Sequence, residues 1–341
     1  MCGIIGQLNF DNSPVSPVIL KKMTDVIKHR GPNGEGHWID KNVGLGHRRL
    51  SIIDLSPAGH QPMISADHRY VLTYNGEIYN FRELRTELEA KGYWFRSQTD
   101  SEVVLSALAE WGYEALLKFN GMFALAFWDR KEKSLLLARD RYGIKPLYYF
   151  QNDKKLVFGS EQKAILEQPC FDRVINKKAL LEYFTFQNIF TDQTLLEGIH
   201  LLQPGHFATL DLQKSDKALE FTQYWDYHFR EPDSPVDKRE YVEELDRLFQ
   251  QAVSRQLVSD VELGSYLSGG MDSGSITAFD EDRMIYPKIK GVGGSIDDYD
   301  NIGPGGYWEN FGIGTGYAKK YFSAPLGDDV QGVVLQISGS I

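Results

Sequence analysis

Short apolar runs broken by Gly, Asn, Asp and Pro dominate the first 160 residues. They predict strands at Gly3–Phe10, Val43–Asp54, Tyr70–Asn75, Met122–Asp129, Ser134–Asp140 and Leu156–Ser160. The run Met122–Trp128 has no polar alternate, so this strand is expected to be covered on both faces. Phe81, Leu84 and Leu88 recur at helical spacing ahead of Gly92. Thr99-Asp-Ser-Glu102 reads as a capping box opening a second helix, with Val103, Ala107, Leu108 and Trp111 inward. From Asp211 to Arg239 the chain turns polar and carries Pro232 and Pro235, as a connection between domains does. Beyond it Val242, Leu245, Leu248, Phe249, Ala252, Val253 and Leu257 mark a helix, and a short strand at Leu263–Leu267 feeds Ser268-Gly-Gly-Met-Asp-Ser273. Strand, glycine loop and helix start form an α/β signature. Residues 291–341 hold 12 of the 32 glycines and sustain no period before Gly332–Ile337, so they receive no fold.

Composition narrows the picture. The 341 residues suit about two domains, and 37 Lys+Arg against 47 Asp+Glu leave a net charge of −10. Nothing sequence-wide favours nucleic acid or an anionic membrane surface. No apolar run approaches the roughly 18 residues of a spanning helix, and Met-Cys-Gly-Ile-Ile-Gly lacks the basic start of a signal peptide, so a cytoplasmic chain is expected. The two cysteines, Cys2 and Cys170, are too few for a disulfide framework, and Cys170 reads as an ordinary core or loop thiol. The eight histidines form no metal-binding spacing; no resident metal is expected, and magnesium would arrive with a nucleotide.

Cys2 is the most informative residue because of its address. Once Met1 is removed, it carries a thiol of pKa about 8.5 and an α-amine of about 7.7–8.0, so nucleophile and base share one residue. Read without context, it is a small apolar residue at a strand edge. Asn75-Gly76 is equally two-sided. It is the commonest two-residue hairpin turn, and it also supplies an amide side chain and a backbone N–H able to hold a developing oxyanion.

Cys2-Gly-Ile-Ile-Gly6 is followed by His29-Arg-Gly-Pro32, Gly46-His-Arg-Arg-Leu-Ser-Ile-Ile-Asp54, Tyr74-Asn-Gly-Glu-Ile-Tyr-Asn80, Asp100-Ser-Glu102 and Arg139-Asp-Arg-Tyr-Gly-Ile-Lys-Pro-Leu-Tyr148. Together these blocks resemble class II glutamine amidotransferases of the asparagine synthetase type, in order and spacing, from residue 1 to about residue 278. The resemblance implies an α+β fold, a four-layer αββα sandwich of the N-terminal nucleophile hydrolase type, followed by the start of a doubly wound α/β domain. It implies a glutaminase domain over 2–210, a linker over 211–239, and a partial ATP-pyrophosphatase-like domain over 240–341 with its glycine-rich end unassigned from about 279. It further implies that Cys2 attacks the glutamine carboxamide and that Asn75 and Gly76 form the oxyanion hole, Gly76 letting the backbone come close. Arg49 would clamp the α-carboxylate and Asp100 the α-ammonium, with Leu50, Ser51, Ile52, Ile53 and Glu77 lining the same pocket. Taken alone, Arg49 equally fits a surface ion pair, and Asp100 the first residue of its helix.

Leu267, Ser268, Gly269, Gly270, Asp272 and Ser273 resemble the pyrophosphate loop of the synthetase half, where hydroxyls and exposed N–H groups wrap ATP phosphates and glycines clear the approach. The partners implied are glutamine, aspartate and ATP, and a homodimer is an assembly the resemblance allows. After Ser275-Ile-Thr-Ala278 the chain departs from the family, and Gly312-x-Gly314-x-Gly316 offers no more than a weak second phosphate loop. Two alternatives stay open: an amidotransferase for another carboxylate acceptor, and a chain with glutaminase activity only or no catalysis.

Overall fold

Gly3–Asn9 (β1) is glycine or aliphatic apart from Gln7 and Asn9, and each of its residues is buried. Ile4 and Leu8 join one hydrophobic cluster while Ile5 joins another, so the strand is covered on both faces. The computed structural model describes residues 1–169, 171–232, 237–265, 271–278, 306–311, 317–322 and 333–335, which separate into units 1–230 and 231–341.

In the first unit β1 lies at the heart of an antiparallel sheet with β2 (Gly34–Asp40), β3 (Val43–Arg49), β8 (Tyr148–Gln151), β9 (Lys155–Gly159) and β10 (Ile199–Leu201), in the order β10-β8-β9-β1-β3-β2. A second antiparallel sheet, β12-β11-β7-β6-β5-β4, contains β4 (Met63–Ile64), β5 (Tyr70–Ile78), β6 (Gly121–Asp129), β7 (Ser134–Arg139), β11 (His206–Asp211) and β12 (Glu220–Gln223). Ile4, Leu8, Leu45 and Phe158 of the first sheet pack against Val71, Ala124, Ala126 and Trp128 of the second. On the outer face of the first sheet, Leu20 and Met23 of α1 (Pro17–Asp25) and Ala164 and Ile165 of α5 (Gln162–Ile165) pack with Ile5 and Val157. On the second sheet α3 (Asp100–Trp111) packs against β5 and α2 (Phe81–Ala90) packs against α3, so four layers stack as α, β, β, α. Each large side chain buried between layers contributes about 1.5–3 kcal/mol. Two more helices, α4 (Ala115–Lys118) and α6 (Lys177–Phe186), complete this unit.

Several boundaries differ from the sequence reading. The strand expected over Val43–Asp54 ends at Arg49, because the Arg49 guanidinium donates to the carbonyls of Asp54 and Ser56 and folds the following residues into a loop. Asn75-Gly76 is not a turn: both residues lie inside β5, paired with Ala124 and Phe123 of β6. Residues 220–223, within the stretch read as a linker, pair with β11, and Tyr224 donates its hydroxyl to the Arg139 carbonyl at 2.8 Å. The capping box closes on one side only. Thr99 accepts from the Glu102 N–H at 3.2 Å, but the Glu102 carboxylate turns away to the N–H groups of Arg96 and Ser97.

The second unit begins with α7 (Lys238–Gln256), capped by Asp237, whose apolar stripe stays exposed at Val242, Leu245 and Leu248 while Val253 is buried. It continues through β13 (Leu263–Ser265), α8 (Met271–Ala278), β14 (Gly306–Phe311), β15 (Tyr317–Phe322) and β16 (Val333–Leu335). β13 pairs with β16 in parallel, and β14 with β15 antiparallel. Cys170, Leu267–Gly270 and the Gly312–Gly316 run lie outside the described residues. Among the described residues no helix is long and apolar enough to cross a membrane.

The Phe158 ring fills the space beside Gly6, its partner across the ladder, where an added Cβ would stand 2.2 Å from the ring. Gly6→Ala is therefore expected to cost about 1–3 kcal/mol by overpacking. Urea unfolding should show a lower midpoint at unchanged slope; an unchanged midpoint would refute this account of the interface.

Candidate active site

Cys2 immediately precedes β1 and is half-buried. The Leu50 N–H donates to Cys2 Sγ at 3.3 Å, and the Cys2 carbonyl accepts from Arg30 Nε at 2.9 Å. The loop after β3 thus closes over the sulfur while Arg30 holds the backbone. Burial pushes the thiol pKa up; the Leu50 amide, the amino terminus and Lys145 pull it down, and Asp100 adds to the rise. Burial also lowers the amino terminus, opposed by Cys2 and reinforced by Arg30 and Lys145. The chain as described retains Met1, whose thioether accepts from Lys145 Nζ at 3.3 Å.

β5 supplies the second group of residues. Val71 faces the other sheet, and alternation puts Thr73, Asn75 and Glu77 on that same side. Asn75 is 1% exposed, and its Nδ2 has no hydrogen-bond partner among the described residues. A buried amide donor left without an acceptor costs about 1–3 kcal/mol, so a side chain kept in that state calls for a reason. At Gly76 an added Cβ would stand 2.4 Å from the Met122 carbonyl and 2.7 Å from Tyr74 Cε2. The neighbouring strand and ring thus demand a glycine at this position. Asp100 opens α3 as expected, accepting from the Tyr74 hydroxyl at 2.8 Å and the Ile78 N–H at 3.1 Å. Burial raises its pKa.

Glu77 is 8% exposed, and burial together with the Asp100 charge raises its pKa to about 8, against the pull of Lys145. Arg49 is partly engaged, its fork donating to the Ser56 carbonyl at 2.7 Å and to that of Asp54. Leu50, Ser51, Ile52 and Ile53 form the half-buried loop beside Cys2, where the Ser51 N–H donates to Asn33 Oδ1 at 3.1 Å. Cys2, Arg49, Leu50 and Asp100 thus share one neighbourhood, and Glu77 is tied to it through Asp100 and Lys145. Of the phosphate-loop candidates, Asp272 and Ser273 sit in the first turn of α8, and Leu267–Gly270 lie outside the described residues. No cluster of His, Cys, Asp and Glu able to hold a metal occurs among the described residues.

Sequence reasoning gave no role to Arg30, His47, Tyr74 or Lys145. All four stand inside the blocks that carry the resemblance, but nothing in their spacing says that they fold onto the amino terminus. His47 is 1% exposed and donates from Nε2 to the Tyr74 carbonyl at 3.1 Å, with burial driving its pKa to about 3. It links β3, beside Cys2, to β5, beside Asn75.

A sandwich with a half-buried thiol at its amino terminus and an idle amide donor facing inward is what an amidohydrolase acting through a terminal nucleophile requires. Residues 1–225 match the glutamine amidotransferase domain family, and the chain belongs to it. Residues 244–283 match the asparagine synthase family. The chain is similar to asparagine synthetase [glutamine-hydrolyzing] 1 of Bacillus subtilis, with 37% identity over 295 residues, 85% of this chain and 45% of the relative. Asparagine synthetase [glutamine-hydrolyzing] 3 of the same organism is 38% identical over 282 residues, 82% of this chain and 45% of the relative. The chain thus spans about half the length of these relatives. Among solved structures, the glutamine phosphoribosylpyrophosphate amidotransferase of B. subtilis aligns with a TM-score of 0.48 and 16% identity, covering 81% of this chain and 63% of its own.

The raised Glu77 pKa has a consequence for stability. Between its ordinary value of 4.5 and about 8 the folded protein keeps a proton that the unfolded chain has lost, so stability falls as pH rises through that window. Glu77→Gln is expected to remove this decline. Urea midpoints of variant and wild type should diverge steadily from about pH 5 to about pH 8, and parallel curves would show that Glu77 is ionised in the fold.

Proposed function

We propose that the chain hydrolyses glutamine at Cys2 and serves an ATP-dependent amidation in which aspartate is the acceptor. With Met1 removed, the Cys2 amine takes the thiol proton and the sulfur attacks the carboxamide carbon. The oxyanion then receives the Asn75 Nδ2 donor and the Gly76 N–H. Collapse of the tetrahedral intermediate breaks the C–N bond, and the proton held by the amine leaves with ammonia. Water cleaves the γ-glutamyl thioester to glutamate and restores the thiol. Arg49 takes the substrate carboxylate while Asp100 takes its ammonium, a pairing that reads the zwitterion and rejects a plain amide, and Glu77 lines the same pocket. Leu50, Ser51, Ile52 and Ile53 wall the pocket.

The observation that carries this reading is the buried Asn75 Nδ2, a donor with no acceptor among the described residues until charge develops beside it. The synthetase half rests on the 244–283 family match and on the names of the relatives. There Ser268, Gly269, Gly270 and Ser273, with Leu267 and Asp272 alongside, would hold the ATP phosphates, magnesium would accompany the nucleotide, and the acceptor would be activated as an acyl adenylate.

Intact mass first establishes that Met1 has gone. Glutamate release from glutamine should then be steady in the wild type and absent in Cys2→Ala. Asn75→Ala should lower kcat about 10²–10³-fold with a much smaller change in KM. Equal losses in kcat/KM through KM alone would remove Asn75 from the oxyanion role. With ATP, magnesium and aspartate added, AMP and pyrophosphate should appear in an aspartate-dependent manner, and glutamine turnover without them would confine the activity to the glutaminase half.

A further inference from the structure

An ammonium withdrawn from water needs strong acceptors, and Lys145 lacks them. It is 6% exposed, and among the described residues its Nζ meets a single hydrogen-bond partner, the Met1 thioether at 3.3 Å, a weak acceptor. The backbone that presents it is held firmly. Asp140, fully buried, accepts from the N–H groups of Tyr142, Ile144, Lys145 and Phe123 at 2.9–3.1 Å. Arg139 donates to the carbonyls of Lys145 and Leu202 at 2.9 and 2.7 Å, and to that of Gly143. This loop leads from β7 to β8 and delivers one buried cation to the amino terminus.

We propose that Lys145 is a positioning residue for the glutaminase reaction: its ammonium, freed from the Met1 sulfur when the initiator is removed, keeps the Cys2 amine in its neutral proton-accepting form and steadies the Cys2 thiolate. This inference rests on the function proposed above. The groups around the terminus set its balance. Arg30 comes from the turn at 28–30, Arg49 from the end of β3 and Lys145 from the loop after β7; Glu77 comes from β5, Asp100 from the start of α3 and Asp140 from the end of β7. With Met1 in place Lys145 lowers both the Met1 amine and the Cys2 thiol, while burial lowers Lys145 itself against the pull of Glu77, Cys2 and Asp140. Glu77, raised to about 8, is largely protonated at neutral pH and so leaves the Lys145 charge uncancelled there.

The sign of the effect follows. Removing a cation raises the pKa of the amine and of the thiol together, so the acid limb of kcat/KM moves to higher pH. Lys145→Met is expected to shift that limb upward by about one pH unit, up to about tenfold in rate on the limb, with KM for glutamine within twofold. Lys145→Arg should restore the wild-type profile, and Lys145→Gln supplies a second neutral variant. The pH dependence of Cys2 alkylation by iodoacetamide reads the thiolate directly in the folded, processed protein and should move the same way. If wild type turns over glutamine, Cys2→Ala abolishes it, and the Lys145→Met profile superimposes on wild type, the inference fails while the glutaminase reading stands. A loss equal at every pH assigns Lys145 a packing role and overturns the inference as well. A wild type without turnover overturns both.

Discussion

Burial of the first strand on both faces is the constraint on which the site depends. A chain end normally frays, since its last residues have few contacts to hold them. Here the end leads straight into β1, which is flanked by β3 and β9 and packed between α1 and the second sheet. A slip of one residue would send Ile4 and Leu8 to the helix side and Ile5 to the sheet interface, exchanging the two cores. Register therefore fixes the address of Cys2, and the bonds from Leu50 and Arg30 fix its orientation.

The charges around that address are arranged by origin. Arg30 and Lys145 reach the terminus from a turn and a loop and Arg49 from the last residue of β3, whereas Glu77 and Asp100 belong to the second sheet and its helix. Arg30 spends Nε on the Cys2 carbonyl and NH1 on Glu161 at 3.1 Å, which leaves Lys145 as the cation with the least satisfied head. Holding such a group in place needs a backbone that cannot relax, and the paired side chains of Arg139 and Asp140 supply it through seven hydrogen bonds to main-chain groups. A buried charge built in this way is poor evidence for stability and better evidence for a demand made by the chemistry.

The strand rhythm, the helices α2, α3 and α7 and the doubly covered β6 were legible in the sequence, because periodicity reports which faces are buried. Asn75-Gly76 shows where local chemistry misleads: the pair favours a turn, but pairing along the whole of β5 with β6 overrides it. Val43–Asp54 shows the opposite failure, an apolar run whose second half is pulled out of the sheet by one arginine bonding to its own loop. The candidate nucleophile and its neighbours could be named from motif blocks. Lys145 could not, since its importance lies in a missing acceptor, and sequence records residues rather than the partners they lack.

Four buried side-chain polar atoms have no partner among the described residues, and three of them belong to Arg30, which bonds the Cys2 carbonyl, to His47 of β3, which bonds the Tyr74 carbonyl, and to Asn75, the next residue of β5. Each costs about 1–3 kcal/mol in the resting fold. Stability alone would replace such groups or turn them outward, and the large core between the sheets is what lets the fold carry them. Their concentration in one region fits a site tuned to a state other than the resting one. A donor without an acceptor in the ground state gains its bond when negative charge appears beside it, and an interaction stronger in the transition state than before it is the kind that accelerates a reaction. His47 then has a mechanical part: by bonding the Tyr74 carbonyl from β3, it sets the strand that carries Asn75 at a fixed distance from the strand entered by Cys2. The unpaired nitrogen on its far side is what remains when a ring is placed for that one bond.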